Sequence, residues 1–303
     1  MSHLTRQEVL QEIGRDSAIG NRRLHDAFEK ITQHKHVLNR PEAKQLASVA
    51  CRNDRVSTRE ALSLLKIAQY QYSMADAARY LTRFCYFHNG IKRGRVFGRR
   101  SPAQPVVLSD AEEREHIETL MKASSLRVAF TLPDIPGYLY RFTVLGTVAG
   151  LLRHGLYEQF GYIFAAGEAH GLISSGHDFM AIDHADMRKT YHRLSTVVHE
   201  GMHIWQDASG VQSDLGHAEV GAHLTQAIWL RAHKRPLYGR LLADAFSDTA
   251  DDIADDLSGK SWVVRVVDWD TYRAMRAALC PPYKPKEKTL RNHVDFWHPI
   301  HGG

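Results

Sequence analysis

Thr196-Val197-Val198-His199-Glu200-Gly201-Met202-His203-Ile204-Trp205 is the stretch on which the reading of this chain turns. His199 and His203 stand four residues apart, so on a helix they project from one face and can share a single metal ion. Glu200 follows the first of them and can reach a water held by that ion. Two imidazoles and a carboxylate suit zinc (Zn2+), with the fourth position left to water. Zinc lowers the pKa of such a water toward about 7, and a neighbouring carboxylate can take its proton as it attacks a carbonyl.

With 19 His and 14 Glu in 303 residues, a shuffled chain would contain H-E-x-x-H roughly one time in twenty, so the five-residue pattern needs its context. The context supplies it. Between Thr196 and Trp205 no Asp, Glu, Lys or Arg other than Glu200 occurs, as a helix buried beneath a cleft requires. Gly201 departs from the ideal, costing the helix about 1 kcal/mol relative to Ala unless a neighbouring strand packs close enough to need the missing side chain.

On these residues the stretch resembles the active-site helix of the zincin metallopeptidases, over about 35 residues from 196 to 230. The metzincin branch would need Gly and His where Gln206 and Ser209 stand. The gluzincins take a Glu from a following helix, and Glu219, in the helical-looking run His217–Leu230, is the expected third ligand. The resemblance implies zinc on His199, His203 and Glu219, with Glu200 as the catalytic general base in peptide-bond hydrolysis. Gluzincins of the thermolysin type often carry Asp four residues after that Glu. Here the position is His223, which stays open as a rival ligand together with His217 and Asp214. The resemblance also implies a strand beside the active-site helix that binds substrate backbone. Asp178–Ile182 is the expected segment, with His177 and His184 at its ends. An oxyanion stabiliser is expected from His223, Arg231, Tyr238 or Tyr272. Arg231 is equally a charge suited to a helix C-terminus.

Outward from this core, the chain reads as α+β and mostly helical. The expectation is a zincin-like domain over 109–303 with a small antiparallel or mixed sheet, preceded by a helical N-terminal region. Pro41 suits a first helical turn. Ser57 with Glu60, and Ser109 with Glu112, form capping boxes. Leu62, Leu65, Ala68 and Tyr72 follow the first box at helical spacing. Residues 126–132 read as a strand, and 162–166 with 178–182 as an antiparallel pair joined by a Gly- and Ser-rich turn. Helices are expected over 186–207 and 217–233. The acidic run 243–259 lacks the spacing of a calcium loop and reads as an exposed helix ended by Gly259.

Charge is divided unevenly. Residues 1–108 hold 19 Lys and Arg against 9 Asp and Glu, and residues 109–303 hold 20 against 25. The N-terminal region, 1–88, is therefore expected to suit an anionic partner, with a basic Gly- and Pro-containing linker over 89–108. Three cysteines, Cys51, Cys85 and Cys280, are odd in number and far apart, which argues against a disulfide framework. No apolar leader opens the chain, and the most apolar run, Phe142–Leu152, is shorter than the roughly 20 residues a bilayer needs. The expected location is cytoplasmic, or outside the cell by a signal-peptide-independent route. Two further readings follow: a non-catalytic, metal-stabilised protein binding nucleic acid or an anionic surface, and an effector or toxin protease. Peptide or protein substrates are what the zincin resemblance implies.

Overall fold

The computed structural model describes residues 5–14, 19–33, 37–51, 56–70, 76–92, 103–164, 171–174, 178–183, 190–210, 213–257 and 261–279. Within them the chain is mostly helical with small mixed sheets, an α+β arrangement. Five helices come first: α1 (Arg6–Gly14), α2 (Ile19–Thr32), α3 (Arg40–Ala50), α4 (Thr58–Tyr70) and α5 (Asp76–Lys92). Helices α1, α3 and α4 start where side chains satisfy the orphan N–H groups of a first turn. Asn39 Oδ1 accepts from Glu42 N at 2.9 Å and Glu42 returns the bond to Asn39 N, with Pro41 inside the turn. Ser57 and Glu60 do the same for α4 at 3.1 and 2.7 Å.

The rest of the chain contributes β1 (Ala103–Val106), α6 (Asp110–Ala123), β2 (Val128–Thr131), β3 (Leu139–Arg141), α7 (Val144–Arg153) and β4 (Glu158–Phe164). After these come β5 (Gly171–Ser174), β6 (Phe179–Asp183), α8 (Thr190–Ala208) and α9 (Leu215–Ala232). A 3-10 turn, α10 (Asp244–Asp256), β7 (Val263–Val266) and α11 (Trp269–Leu279) complete it. The capping box of Ser109 and Glu112 opens α6 as expected. The apolar run 142–152 becomes the buried helix α7, and no described helix is long and apolar enough to cross a membrane.

One sheet has the order β1-β4-β6-β5, and a second has the order β3-β2-β7. The expected antiparallel partnership of β4 with β6 is corrected: they run parallel, Glu158 opposite Phe179 and Tyr162 opposite Asp183. The stretch read as a turn contains β5, which takes the antiparallel place beside β6, Gly171 opposite Ile182. The chain changes direction twice, between β4 and β5 and again between β5 and β6, so β4 meets β6 from the other side in the same direction. β6 is buried along its whole length, as a central strand covered on both faces must be.

Its alternating residues divide the molecule into two cores. Phe179 and Ala181, with Phe160 and Tyr162 of β4, face the N-terminal helices and pack with Leu24, Phe28, Leu46, Leu81 and Phe84. Phe87 of α5 stacks on Phe160 at 5.1 Å between centroids. Met180 and Ile182 face the other way, onto Val197, Val198 and Met202 of α8. The N-terminal helices thus share a core with the sheet. Of the segment 89–108, residues 89–92 continue α5 and Ala103–Val106 pair with β4, while 93–102 lie outside the described residues.

Arg40 ties the two halves. Its guanidinium bonds Glu113 of α6 at 2.9 Å and Glu158 of β4 at 2.7 Å. The Glu158 side chain is 1% exposed, and burial raises its carboxyl pKa against the pull of Arg40. Arg40→Ala would leave a buried carboxylate whose nearest cation among the described residues is Arg83, 4.0 Å away. A loss of about 3 kcal/mol in unfolding free energy is expected, read from urea denaturation. Arg40→Lys is expected to recover less than half of it, since a shorter chain ending in a point charge cannot reproduce the two-pronged guanidinium contact with Glu113 together with the bonds to Glu158.

Candidate metal centre

The helix α8 lies at the middle of the second core, packed by α6, α7, α9, β5 and β6. Such all-round burial explains why its residues from Ser195 to Met202 are all buried. Gly201 is required here, but not by a strand as the sequence suggested. A Cβ at this position would sit 2.6 Å from Leu120 Cδ2 of α6 and 3.3 Å from Leu145 Cδ2 of α7. The helices close in where the side chain is missing. Gly201→Val is expected to cost about 2 kcal/mol by overpacking, seen as a lowered denaturation midpoint with an unchanged slope. Gly201→Ala should cost less, because the gain in helix propensity of about 1 kcal/mol offsets part of the strain.

The site forms where α8 faces α9. Asp214 caps α9 by accepting from His217 N at 2.7 Å, which sets the helix phase and turns Glu219 toward the two histidines. Donor atoms of His199, His203 and Glu219 lie within 4.8 Å of one another. The His199 and His203 Nε2 atoms are 3.1 Å apart, and each lies 3.6 Å from a Glu219 oxygen. Ligands about 2.0–2.1 Å from a tetrahedral zinc are separated by roughly 3.3 Å. The three donors therefore fit such an ion in spacing as well as in chemistry. His203 is turned to present Nε2: its Nδ1 meets Gln206 Oε1 at 2.7 Å. Gln206 is held in turn, its amide donating to the Ala218 carbonyl at 3.1 Å and to Tyr140 Oη at 3.2 Å. Since that amide group is committed, the atom facing His203 is the carbonyl oxygen, and the proton sits on Nδ1.

Electrostatics single out the same groups. Glu200 is 4% exposed, and burial, with Glu219 adding to it, pushes its carboxyl up to about 8. Burial would depress His203, but the charge of Glu219 lifts it to about 9. Glu219 is held well below the usual carboxylate range, His203 outweighing its burial. Burial takes His223 down to about 4. Opposed shifts concentrated on neighbouring buried groups are the electrostatic pattern of a candidate site. Glu200 is also walled in by β5: a Cβ on Gly171 would lie 2.7 Å from Glu200 Cγ and 2.7 Å from Thr196 Cγ2.

Two of the three rival ligands are employed elsewhere. Asp214 uses one oxygen for its cap and the other for Arg276 at 3.0 Å. His217 bonds Asp134 through Nδ1 at 2.5 Å and packs among Tyr138, Tyr140 and Tyr272. His223 does reach the site, with Nε2 3.6 Å from Glu219 Oε2 and its ring centroid 4.4 Å from that of His199. Among the expected oxyanion stabilisers, Arg231 pairs with Asp251 and Tyr272 donates to Asp134. Tyr238 joins a buried network with Ser195 and Gln226 at 2.8 Å each.

The expectation for the substrate strand is corrected. Asp178–Ile182 falls in β6, whose two edges are taken by β4 and β5, so its backbone has no hydrogen bonds to offer. The outer strand on this side is β5, which lies against α8. His177 and His184 lie outside the described residues, as do Gly259 and Cys280. Sequence reasoning missed Gln206, whose position three residues after His203 was the available signal, and Gly171, for which there was none. A scan of protein-family models finds no match to the chain, nor does a search of curated proteins or of solved structures.

Proposed function

We propose that this protein is a zinc-dependent peptide hydrolase of the zincin type, with the gluzincin ligand set. The observation that carries the reading is the convergence of His199, His203 and Glu219 within 4.8 Å, with Glu200 buried beside them. Zinc held there supplies the Lewis acidity that makes water a nucleophile near neutral pH. Glu200 takes a proton from the attacking water on its carboxylate and delivers it to the departing amine nitrogen. The pocket that raises its pKa suits a group that must both accept and release a proton. The outer edge of β5, which lies against Glu200, would pair with the main chain of an extended substrate. Main-chain pairing of this kind selects for peptide or protein without fixing side-chain preference.

The test is metal content by mass spectrometry together with hydrolysis of an unfolded protein such as reduced casein. About one zinc per chain, and cleavage abolished by chelator and restored by zinc, is the expected result. Zinc without cleavage of casein or of a random peptide library would remove the peptidase reading and leave a metal-binding protein.

A further inference from the structure

His223 is not part of the ligand set proposed above, and its surroundings are those of a ligand. The two helices supply matched pairs. His199 and His203 are four residues apart on α8, and Glu219 and His223 are four residues apart on α9, so each pair occupies one helix face. Glu219 Oε2 lies 3.6 Å from His223 Nε2, the same separation it has from His199 Nε2. That is too long for a hydrogen bond and close to the roughly 3.3 Å between two ligands of one zinc ion.

Gln226 stands three residues after His223, as Gln206 stands three after His203. Its amide group donates to Tyr238 Oη at 2.8 Å and Ser195 Oγ at 3.1 Å. What it has left for the imidazole of His223, on which it acts, is its carbonyl oxygen, an acceptor. Nδ1 of His223 is buried without a close hydrogen bond, so this carbonyl is the group that can take its proton. A proton kept at Nδ1 leaves a lone pair on Nε2, directed at a carboxylate oxygen. Two acceptors facing each other across 3.6 Å repel unless a cation lies between them.

We infer that His223 is a fourth protein ligand, so that the centre is built from three histidines and one glutamate, two from each helix. The inference rests on the zinc reading of His199, His203 and Glu219. It changes what that site does: with four protein ligands, a water or substrate carbonyl must displace His223 or expand the coordination to five. Release of His223 on substrate entry would then control access to the ion.

The experiment compares wild type, His223→Ala and His223→Gln, each purified without metal. Matching melting temperatures of the three metal-free proteins establish that the variants fold. Zinc affinity is measured by competition with a chromophoric chelator, and the Co2+-loaded forms are recorded in the visible range. Loss of a residue that only orients a ligand weakens binding 10- to 100-fold. The expected result for both variants is a loss greater than about 100-fold, with a shifted and altered Co2+ d–d spectrum. A loss below 100-fold, or a d–d spectrum unchanged from wild type, overturns the assignment. Failure of the wild type itself to take up zinc or Co2+ would instead overturn the three-ligand reading on which it stands.

Discussion

Replacing Glu200 by Gln is expected to lower peptide hydrolysis about 10³-fold while zinc stays bound. The substitution is nearly isosteric, so the wall formed by Gly171 and Thr196 accepts it, and the ligand atoms of His199, His203 and Glu219 are untouched. What is lost is the ability to accept a proton from water and return it to the amine. The fall should appear in kcat with little change in KM, since β5 and not Glu200 is proposed to hold the substrate. Stability should be retained or slightly raised. Burial disfavours the ionised form of Glu200, and an amide of the same shape carries no such penalty. A variant that loses zinc along with activity would show that Glu200 positions the ligands, and the assignment as base would fail.

Zinc is expected to stabilise the wild type by about 4 kcal/mol when free metal exceeds the dissociation constant a thousandfold. For a chain of this size that amounts to a rise of about 6 °C in melting temperature. The full gain requires that the unfolded chain bind zinc weakly, as expected for ligands that come from two helices, α8 and α9, brought together by folding. Calorimetry with and without zinc measures it. In His199→Ala and in Glu219→Ala the rise is expected to shrink to a degree or two, removing one donor from each helix in turn. A full rise in Glu219→Ala would place the third ligand on another residue.

The burial pattern explains why these effects are separable. Glu200 sits under β5, while the ligands sit between α8 and α9, so chemistry and metal binding depend on different contacts. The short distance from Gly171 to Glu200 makes the edge strand part of the site's wall. In the parallel frame of β4 and β6, β5 is the strand that can come this close. Had β4 and β6 paired antiparallel, as the Gly- and Ser-rich stretch between them suggested, β6 would have been free on one side and the wall would differ.

Local chemistry was readable in the sequence. Capping boxes at Ser57 and Ser109 fix helix starts with side chains three residues away, and the structure has both. The four-residue spacing of His199 and His203 places them on one face of any helix, and the apolar flanks foretell its burial. Glu219 came from the gluzincin resemblance, and the structure brings it beside them.

What the sequence by itself determined is therefore what lies within one or two helical turns: the two histidines on one helix face, the glutamate beside them, the helix starts and the mixed, mostly helical class. Tertiary structure alone decided the partners of those groups. It made β6 central, put β5 at the edge of the described sheet, set Leu120 against Gly201, gave His203 a glutamine and brought His223 to Glu219. Such choices arise from contacts between segments tens of residues apart, where a one-strand change of order moves every neighbour and leaves the local pattern of residues unaltered.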